Sequence, residues 1–333
     1  MTEHLFPFLD YWWFYAAFTG LVVVFMALDL GLFHRKPHVI GFREASAWTA
    51  VWVALALLFC LYLYKYAVWK FGATTGNQIG VEFLTGYVVE WSLSLDNMFV
   101  FVLVFRYFGI PALLQHRILF FGILGALIFR GVFIVLGAAL LQYGWVVILF
   151  GVFLILTGFR MMFSSERQVR PEQSLIVRGL RRLLHVATES EESRFFVRRN
   201  GKLCATPILL ALALIEASDV LFALDSVPAI FAITREPLVV YTSNVFAILG
   251  LRAMYFLLAG ALASFHLLRY GLALILIFVG LKMSWLNAAW GGHFPTTISL
   301  GVIVGILAVS IGLSLVFPTS RAPKDLLINR LDR

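Results

Sequence analysis

The sequence predicts an all-α polytopic membrane protein of about nine transmembrane helices with two inverted three-helix repeats. Three observations predict it: the composition, nine long apolar segments, and a likeness between two triplets of those segments. Of 333 residues, 61% are apolar, 16% aromatic and only 13% charged, whereas soluble domains run at about 25% charged. A water-soluble fold cannot cover that much apolar surface, which suffices for about nine or ten helices of about 20 residues. The net charge of +8 does not call for nucleic acid, because Lys and Arg of membrane proteins collect in cytoplasmic loops. Cys60 and Cys204 lie far apart with no Cys-x-x-Cys, so neither a disulfide framework nor a thiolate metal site is expected. Met1-Thr2-Glu3-His4 lacks the basic start of a cleavable signal peptide, leaving targeting to the first helix.

The apolar segments lie near 11–33, 46–70, 80–105, 117–141, 145–163, 205–234, 240–263, 269–287 and 295–317. Connections are short except for 164–204, which reads as one long polar loop. The chain then divides into two N-terminal helices (1–79), a first three-helix unit (80–163), the basic loop (164–204), a second three-helix unit (205–287) and a last helix with its tail (288–333). Lys and Arg concentrate at 34–45, 106–117, 164–204 and the tail, while 71–79, 142–144 and 288–294 carry none. This bias places the N-terminus outside and the C-terminus in the cytoplasm, with Arg235 as the exception. In 174–185, Ile176, Leu180, Leu183 and Leu184 share a helical face opposite Arg178, Arg181, Arg182 and His185. Such a helix lies either on anionic lipid or against the protein's own cytoplasmic surface.

Glu90-Trp-Ser-Leu-Ser-Leu-Asp96-Asn97 in the third span is matched by Asp219-Val-Leu-Phe-Ala-Leu-Asp225-Ser226 in the sixth. Arg106 and Arg235 follow each aspartate at the same distance. Arg130 in the fourth span matches Arg252 in the seventh, and Gly158-Phe-Arg-Met161 in the fifth matches Gly280-Leu-Lys-Met283 in the eighth. Spans three to five and six to eight therefore read as two copies of one unit. An odd number of spans per copy inverts the second, the pattern of many secondary transporters.

An ionisable group at the bilayer centre costs about 2.5–3.5 kcal/mol on insertion scales. Spans three and six nevertheless hold Glu90, Asp96, Glu216, Asp219 and Asp225. Arg130 and Arg252 read as their counter-charges and are too few to neutralise them, so the remainder must hold cations or protons. Oxygen ligands suit hard divalent ions such as Mn²⁺, Mg²⁺ and Ca²⁺. All seven histidines fall in loops or at span ends, which disfavours Zn²⁺ and Cu⁺. Ser94, Asn97, Ser226 and Asn244 can add neutral oxygens. Met98 can add a thioether that favours Mn²⁺, with ordinary packing as its alternative reading. Pro228 removes a backbone amide near Asp225, so either a local helix break that frees carbonyl oxygens or a packed kink is expected there. Asp29 and Glu82 read as caps or snorkelling groups near span ends, and Arg160 and Lys282 as interface anchors.

At these motifs the sequence resembles the TerC family of membrane proteins. The resemblance rests on the Glu90–Asn97 stretch, on Phe195-Phe-Val-Arg198 with Gly201-Lys-Leu203, and on the unbroken runs Ile215–Thr234 and Tyr241–Arg252. It covers nearly the whole chain. The resemblance implies a relation to LysE-type exporters and export of Mn²⁺ from the cytoplasm. It also implies that Glu90, Asp96, Asn97, Glu216, Asp219 and Asp225 form the metal path. The family's association with tellurium resistance is expected to be indirect, because an acidic membrane core repels an oxyanion. The expected activity is a secondary transporter moving Mn²⁺ by alternating access, coupled to a proton or another cation, in a bacterial inner membrane. A Ca²⁺ or Mg²⁺ carrier on the same site is one rival, and a scaffold that helps metallate or insert other proteins is another. No nucleophile–base constellation, phosphate loop or zinc-protease motif points to an enzyme, and no cofactor beyond the transported ion is expected.

Overall fold

The computed structural model describes residues 5–33, 41–163, 185–186, 195–199, 202–258, 267–291 and 294–317. The helices are α1 (Phe8–Phe33), α2 (Phe42–Phe71), α3 (Ala73–Tyr107), α4 (Ala112–Leu140) and α5 (Gly144–Phe163). After a small sheet come α6 (Pro207–Phe231), α7 (Pro237–Leu249), α8 (Leu251–Leu258), α9 (Leu268–Leu281) and α10 (Thr296–Val316). Among the described residues, eight helices are long and apolar enough to cross a membrane, and the bent pair α7–α8 makes a ninth. Large apolar side chains such as Leu9, Trp69, Trp145, Leu156 and Val316 stand exposed on the periphery, as lipid contact requires. The protein is an all-α polytopic membrane protein.

Helix α3 is the centre of the bundle. Its apolar window is 62% buried, against 17–44% for the other spans. It packs against α2, α6, α7 and α10. At 35 residues it is about 50 Å long, well beyond the roughly 30 Å hydrocarbon thickness. Its packing partners explain why it tolerates Glu82, Thr85, Glu90, Ser92, Ser94 and Asn97, all buried. A span facing protein on all sides can hold polar groups that a lipid-facing span cannot.

Close helix approach is bought with small residues, as in membrane bundles generally. Helices α5 and α9 meet where a Cβ on Gly280 would sit 2.6 Å from the Gly151 carbonyl oxygen and one on Gly158 would sit 2.7 Å from that of Ala273. On the other side an aromatic cluster, with Phe18 and Phe59 both against Phe246, fastens α1 and α2 to α7. The backbone amides of Leu5 and Phe6 donate to the Glu236 carboxylate at 2.9 and 3.3 Å.

Three departures from the sequence expectation bear on the site. First, α6 runs unbroken through Pro228. Pro228 lies in the last turn of that helix, where losing one backbone hydrogen bond leaves the turns around Asp225 intact. Second, the irregular backbone falls in the seventh and eighth spans: α7 and α8 meet at a 42° bend beside Gly250, and α9 runs into a π-helical turn, Lys282–Leu286. Third, part of the 164–204 loop is sheet. Strands β1 (His185–Val186), β2 (Phe196–Arg199) and β3 (Lys202–Ala205) align in the order β1-β3-β2. Arg199 pairs with Lys202, and the intervening Asn200-Gly201 is a strong two-residue hairpin signal. Of the expected helix 174–185, only His185 lies among the described residues, and it is in a strand. The hairpin is tied to α6 at Thr206, whose backbone amide and hydroxyl both donate to the Phe195 carbonyl at 3.1 Å.

The glycine contacts predict that Gly280→Leu will overpack the α5–α9 seam. The expected loss is about 1–3 kcal/mol of stability, read as a lower thermal unfolding midpoint of the detergent-solubilised protein. Gly131→Leu, at a position with open space around its Cβ, should leave that midpoint near the wild-type value.

Candidate metal-ion site

Helices α3 and α6 pack antiparallel in one register along their length. Glu82 meets Thr234, Gly86 meets Ile230, and Asn97 meets Asp219, each step along α3 matched by an equal step back along α6. Their crossing brings together side chains over a hundred residues apart in sequence.

Arg130 of α4 enters this crossing. Its guanidinium forms an ion pair with Glu90 of α3. Its second terminal nitrogen lies 3.7 Å from Asp219 Oδ1 on α6, and Nη1 donates to Asn244 Oδ1 of α7 at 3.1 Å. The Asn244 amide donates in turn to Glu90 Oε2 at 3.1 Å. The Asn97 amide reaches Asp219 Oδ1 at 3.5 Å, the weak limit of a hydrogen bond. Glu90, Asn97, Arg130, Asp219 and Asn244 are each at least 97% buried. With both carboxylates ionised, one guanidinium leaves the network one negative charge in excess.

Several oxygens at the crossing carry no protein hydrogen bond. Asp219 Oδ2, Asn97 Oδ1, Ser94 Oγ and Ser226 Oγ are buried and unpartnered. Buried polar atoms are normally satisfied, so these oxygens are candidates to accept a hard cation, and Arg130 Nε is a buried donor that is also unpartnered. Asp219 also lines a narrow cavity, with room for about one water-sized body, that is shared with Arg252, Phe101, Gly122 and Ile215.

The other sequence candidates fall around this centre. Glu216 is half-buried on α6, where its carboxylate occupies the space left by the missing side chain of Gly125 on α4. Its Oε2 is unpartnered, and it lies within electrostatic range of Asp219. Asp225 is half-buried further along α6. Asp96 precedes Asn97 on α3, and its side chain is outside those described. Met98 is fully buried in an apolar cluster with Phe101, Val104 and Ile118, the surroundings its packing alternative requires. Among the described residues no three His, Cys, Asp or Glu side chains converge as a metal cluster. The centre is two carboxylates, amide and hydroxyl oxygens, and an arginine.

Two charged residues depart from their expected roles. Glu82 is 3% and Lys282 1% exposed, so neither snorkels to an interface. The π-helical turn that begins at Lys282 widens the helix by one residue per turn, and its first residue faces the bundle interior. The sequence signal for Glu82 was its spacing, four residues after Gln78 and eight before Glu90.

The Integral membrane protein TerC family model matches residues 75–322. The chain belongs to the TerC family. The match takes in α3 to α10, and so every member of the Arg130 network. An uncharacterized membrane protein of Myxococcus xanthus, STKORF319, is 47% identical over 313 residues, covering 92% of this chain and 95% of its own. Alx of Escherichia coli K12, named for a proposed role as a membrane-bound redox modulator, is 45% identical over 298 residues, covering 89% and 92%. A membrane protein of Rickettsia felis is 40% identical over 267 residues, covering 80% and 86%. No solved structure matches the chain.

The network predicts a non-additive stability pattern in this TerC protein. Arg130→Met strands two buried carboxylates and should cost about 3–5 kcal/mol. Adding Glu90→Gln and Asp219→Asn to that variant should recover much of the loss. Thermal unfolding of the three proteins in detergent checks both statements.

Proposed function

We propose that this protein is a secondary transporter that exports Mn²⁺ from the cytoplasm through the site at the α3–α6 crossing. The observation that carries the reading is the buried network itself: two carboxylates from different helices converge on one arginine, beside unpartnered Asp219, Asn97, Ser94 and Ser226 oxygens. Buried polar atoms without partners are costly, and oxygens of this kind suit a hard divalent cargo.

Two inverted units, 80–163 and 205–287, would give such a site alternating access. Under the sequence match, the contact Asn97–Asp219 has the mate Ser226–Glu90, and the antiparallel register of α3 and α6 puts both pairs at one level. The close contact Gly151–Gly280 likewise has the mate Gly158–Ala273, and both pairs touch. The 42° bend at Gly250 and the π-helical turn at Lys282 supply irregular backbone of the kind transporters use beside their ion sites. Glu90, Asp96, Asn97, Asp219 and Asp225 act as ligands in this reading. Ser94, Ser226 and Asn244 act as auxiliary oxygens, Glu216 as ligand or proton carrier, and Arg130 and Arg252 as counter-charges. The membrane is a bacterial inner membrane, with the N-terminus outside and the C-terminus in the cytoplasm. Proton or cation counterflow balances the charge. A redox role, as in the name of Alx, would have Cys60 and Cys204 to work with, and both are buried.

Elemental mass spectrometry of cells under Mn²⁺ challenge tests the proposal. Wild type should lower cellular manganese relative to Asp219→Asn, and to Asp96→Asn/Asp225→Asn, at matched protein levels. The loss of transport in the variants should be about tenfold or more, the effect of about 1.4 kcal/mol at the transition state. Equal manganese in all three, with calcium or magnesium changed instead, would move the selectivity. Equal levels of every metal would sink the transport reading in favour of a helper role.

A further inference from the structure

The polar residues of α3 do not stop at the central network. Gln78, Glu82, Gly86, Glu90 and Ser94 recur every fourth position, which places each above the last on the helix surface. The stripe drifts by about 40° per step around the axis. At three of its rungs a neighbouring helix or loop supplies a polar partner. The Thr234 hydroxyl donates to Glu82 Oε2 at 2.5 Å. Ser243 Oγ lies 2.9 Å from where a Gly86 side chain would begin. Asn244 and Arg130 engage Glu90. At the far end Gln78 lines an open pocket of about 240 Å³ with Asn77, Thr296 and Thr297. At roughly 30 Å³ per water, that pocket admits an ion with its hydration shell.

Glu82 sits between pocket and network, about 12 Å along α3 from Glu90. Gln78 Nε2 donates to its Oε1 at 2.8 Å, so both carboxylate oxygens are held by neutral donors. Neither bond neutralises the charge. Two charged groups interact electrostatically with Glu82: the carboxylate of Glu236 and the ammonium of Lys282. Lys282 is 1% exposed and its Nζ has no hydrogen-bond partner. Thr296 Oγ1, at the pocket, is also buried and unpartnered. The ammonium makes no direct bond to the carboxylate, so a cation that displaced the Gln78 or Thr234 donor would meet a charge no ion pair holds.

We propose that Glu82 is a second station for a divalent cation, between the Arg130 network and the pocket at the α3 N-terminal end, with Lys282 as the tethered cation that holds its field between passages. The station rests on the transport reading above. One carboxylate with hydroxyl and amide oxygens binds a hard cation weakly, as a site that must release its ion should. At Gly86 the Ser243 hydroxyl takes the place of a side chain, so the rung between Glu82 and Glu90 carries an oxygen. Lys282 competes with the ion for Glu82 and speeds release.

The test uses the full chain, purified and reconstituted in lipid vesicles, with radioactive Mn²⁺ flux measured alongside Mn²⁺ binding in detergent. Glu82→Gln should keep Mn²⁺ binding at the central network while flux falls about tenfold, the kinetic equivalent of about 1.4 kcal/mol. Glu82→Asp keeps the charge and should retain most of the flux. Lys282→Gln removes the competitor, so Mn²⁺ should bind more tightly while flux slows. Wild-type flux in Glu82→Gln would overturn the station and leave the transport reading standing. Equal slowing in Glu82→Asp and Glu82→Gln would overturn it too, because charge would not be the cause. Unchanged Mn²⁺ affinity in Lys282→Gln would overturn the lysine's part. No Mn²⁺ flux in the wild type would overturn the transport reading and the station together.

Discussion

The guanidinium of Arg130, buried between Glu90 and Asp219, is the interaction on which the middle of this molecule depends. An arginine cannot shed its charge inside a protein. Once α4 carries it into the bundle, the carboxylates must follow, and they arrive on α3 and α6. Its planar fork has several donors at fixed angles, so it fixes orientation as well as charge. Nη1 also reaches Asn244 on α7, and Asn244 closes the circuit back to Glu90. One side chain thus sets the relative positions of four helices that the apolar packing alone would leave free to slide.

Around that centre the helices approach more closely than ordinary side chains allow. Gly125 gives its space to the Glu216 carboxylate, Gly86 to Ser243, and Gly151, Gly158 and Gly280 let α5 and α9 touch backbone to backbone. In lipid there is little hydrophobic drive to bring spans together, so close contact and polar pairing must do it. At Gly86 this close packing also brings the Ser243 hydroxyl against α3 between Glu82 and Glu90.

Much of this was legible in the sequence. All nine spans were visible in the runs of apolar residues, because lipid imposes length and composition on each span separately. Arg130 as partner of the buried carboxylates followed from the rarity of charge in a span. What was not legible was direction. Glu82 and Lys282 each read as end-of-span groups by their position along the helix, and both are interior because α3 is surrounded and because a π-helical turn re-aims Lys282. Pro228 pointed to either a break or a packed kink in α6, and the helix runs unbroken through it because so near the helix end it removes a bond without breaking a turn; a 42° bend falls at Gly250. The β2–β3 pairing had its sequence signal in Asn200-Gly201, but the surrounding basic residues read as one long polar loop.

Charge accounting then orders the two buried clusters. Arg130 faces two carboxylates, Glu90 and Asp219. The field at Glu82 is shared by one ammonium, Lys282, and one carboxylate, Glu236. Under the transport reading the Arg130 network offers a cation carboxylates on two helices, and the Glu82 level offers one, about 12 Å away along α3. Transport requires sites weak enough to leave as well as strong enough to enter, and on that reading the Glu82 level is the weaker of the two.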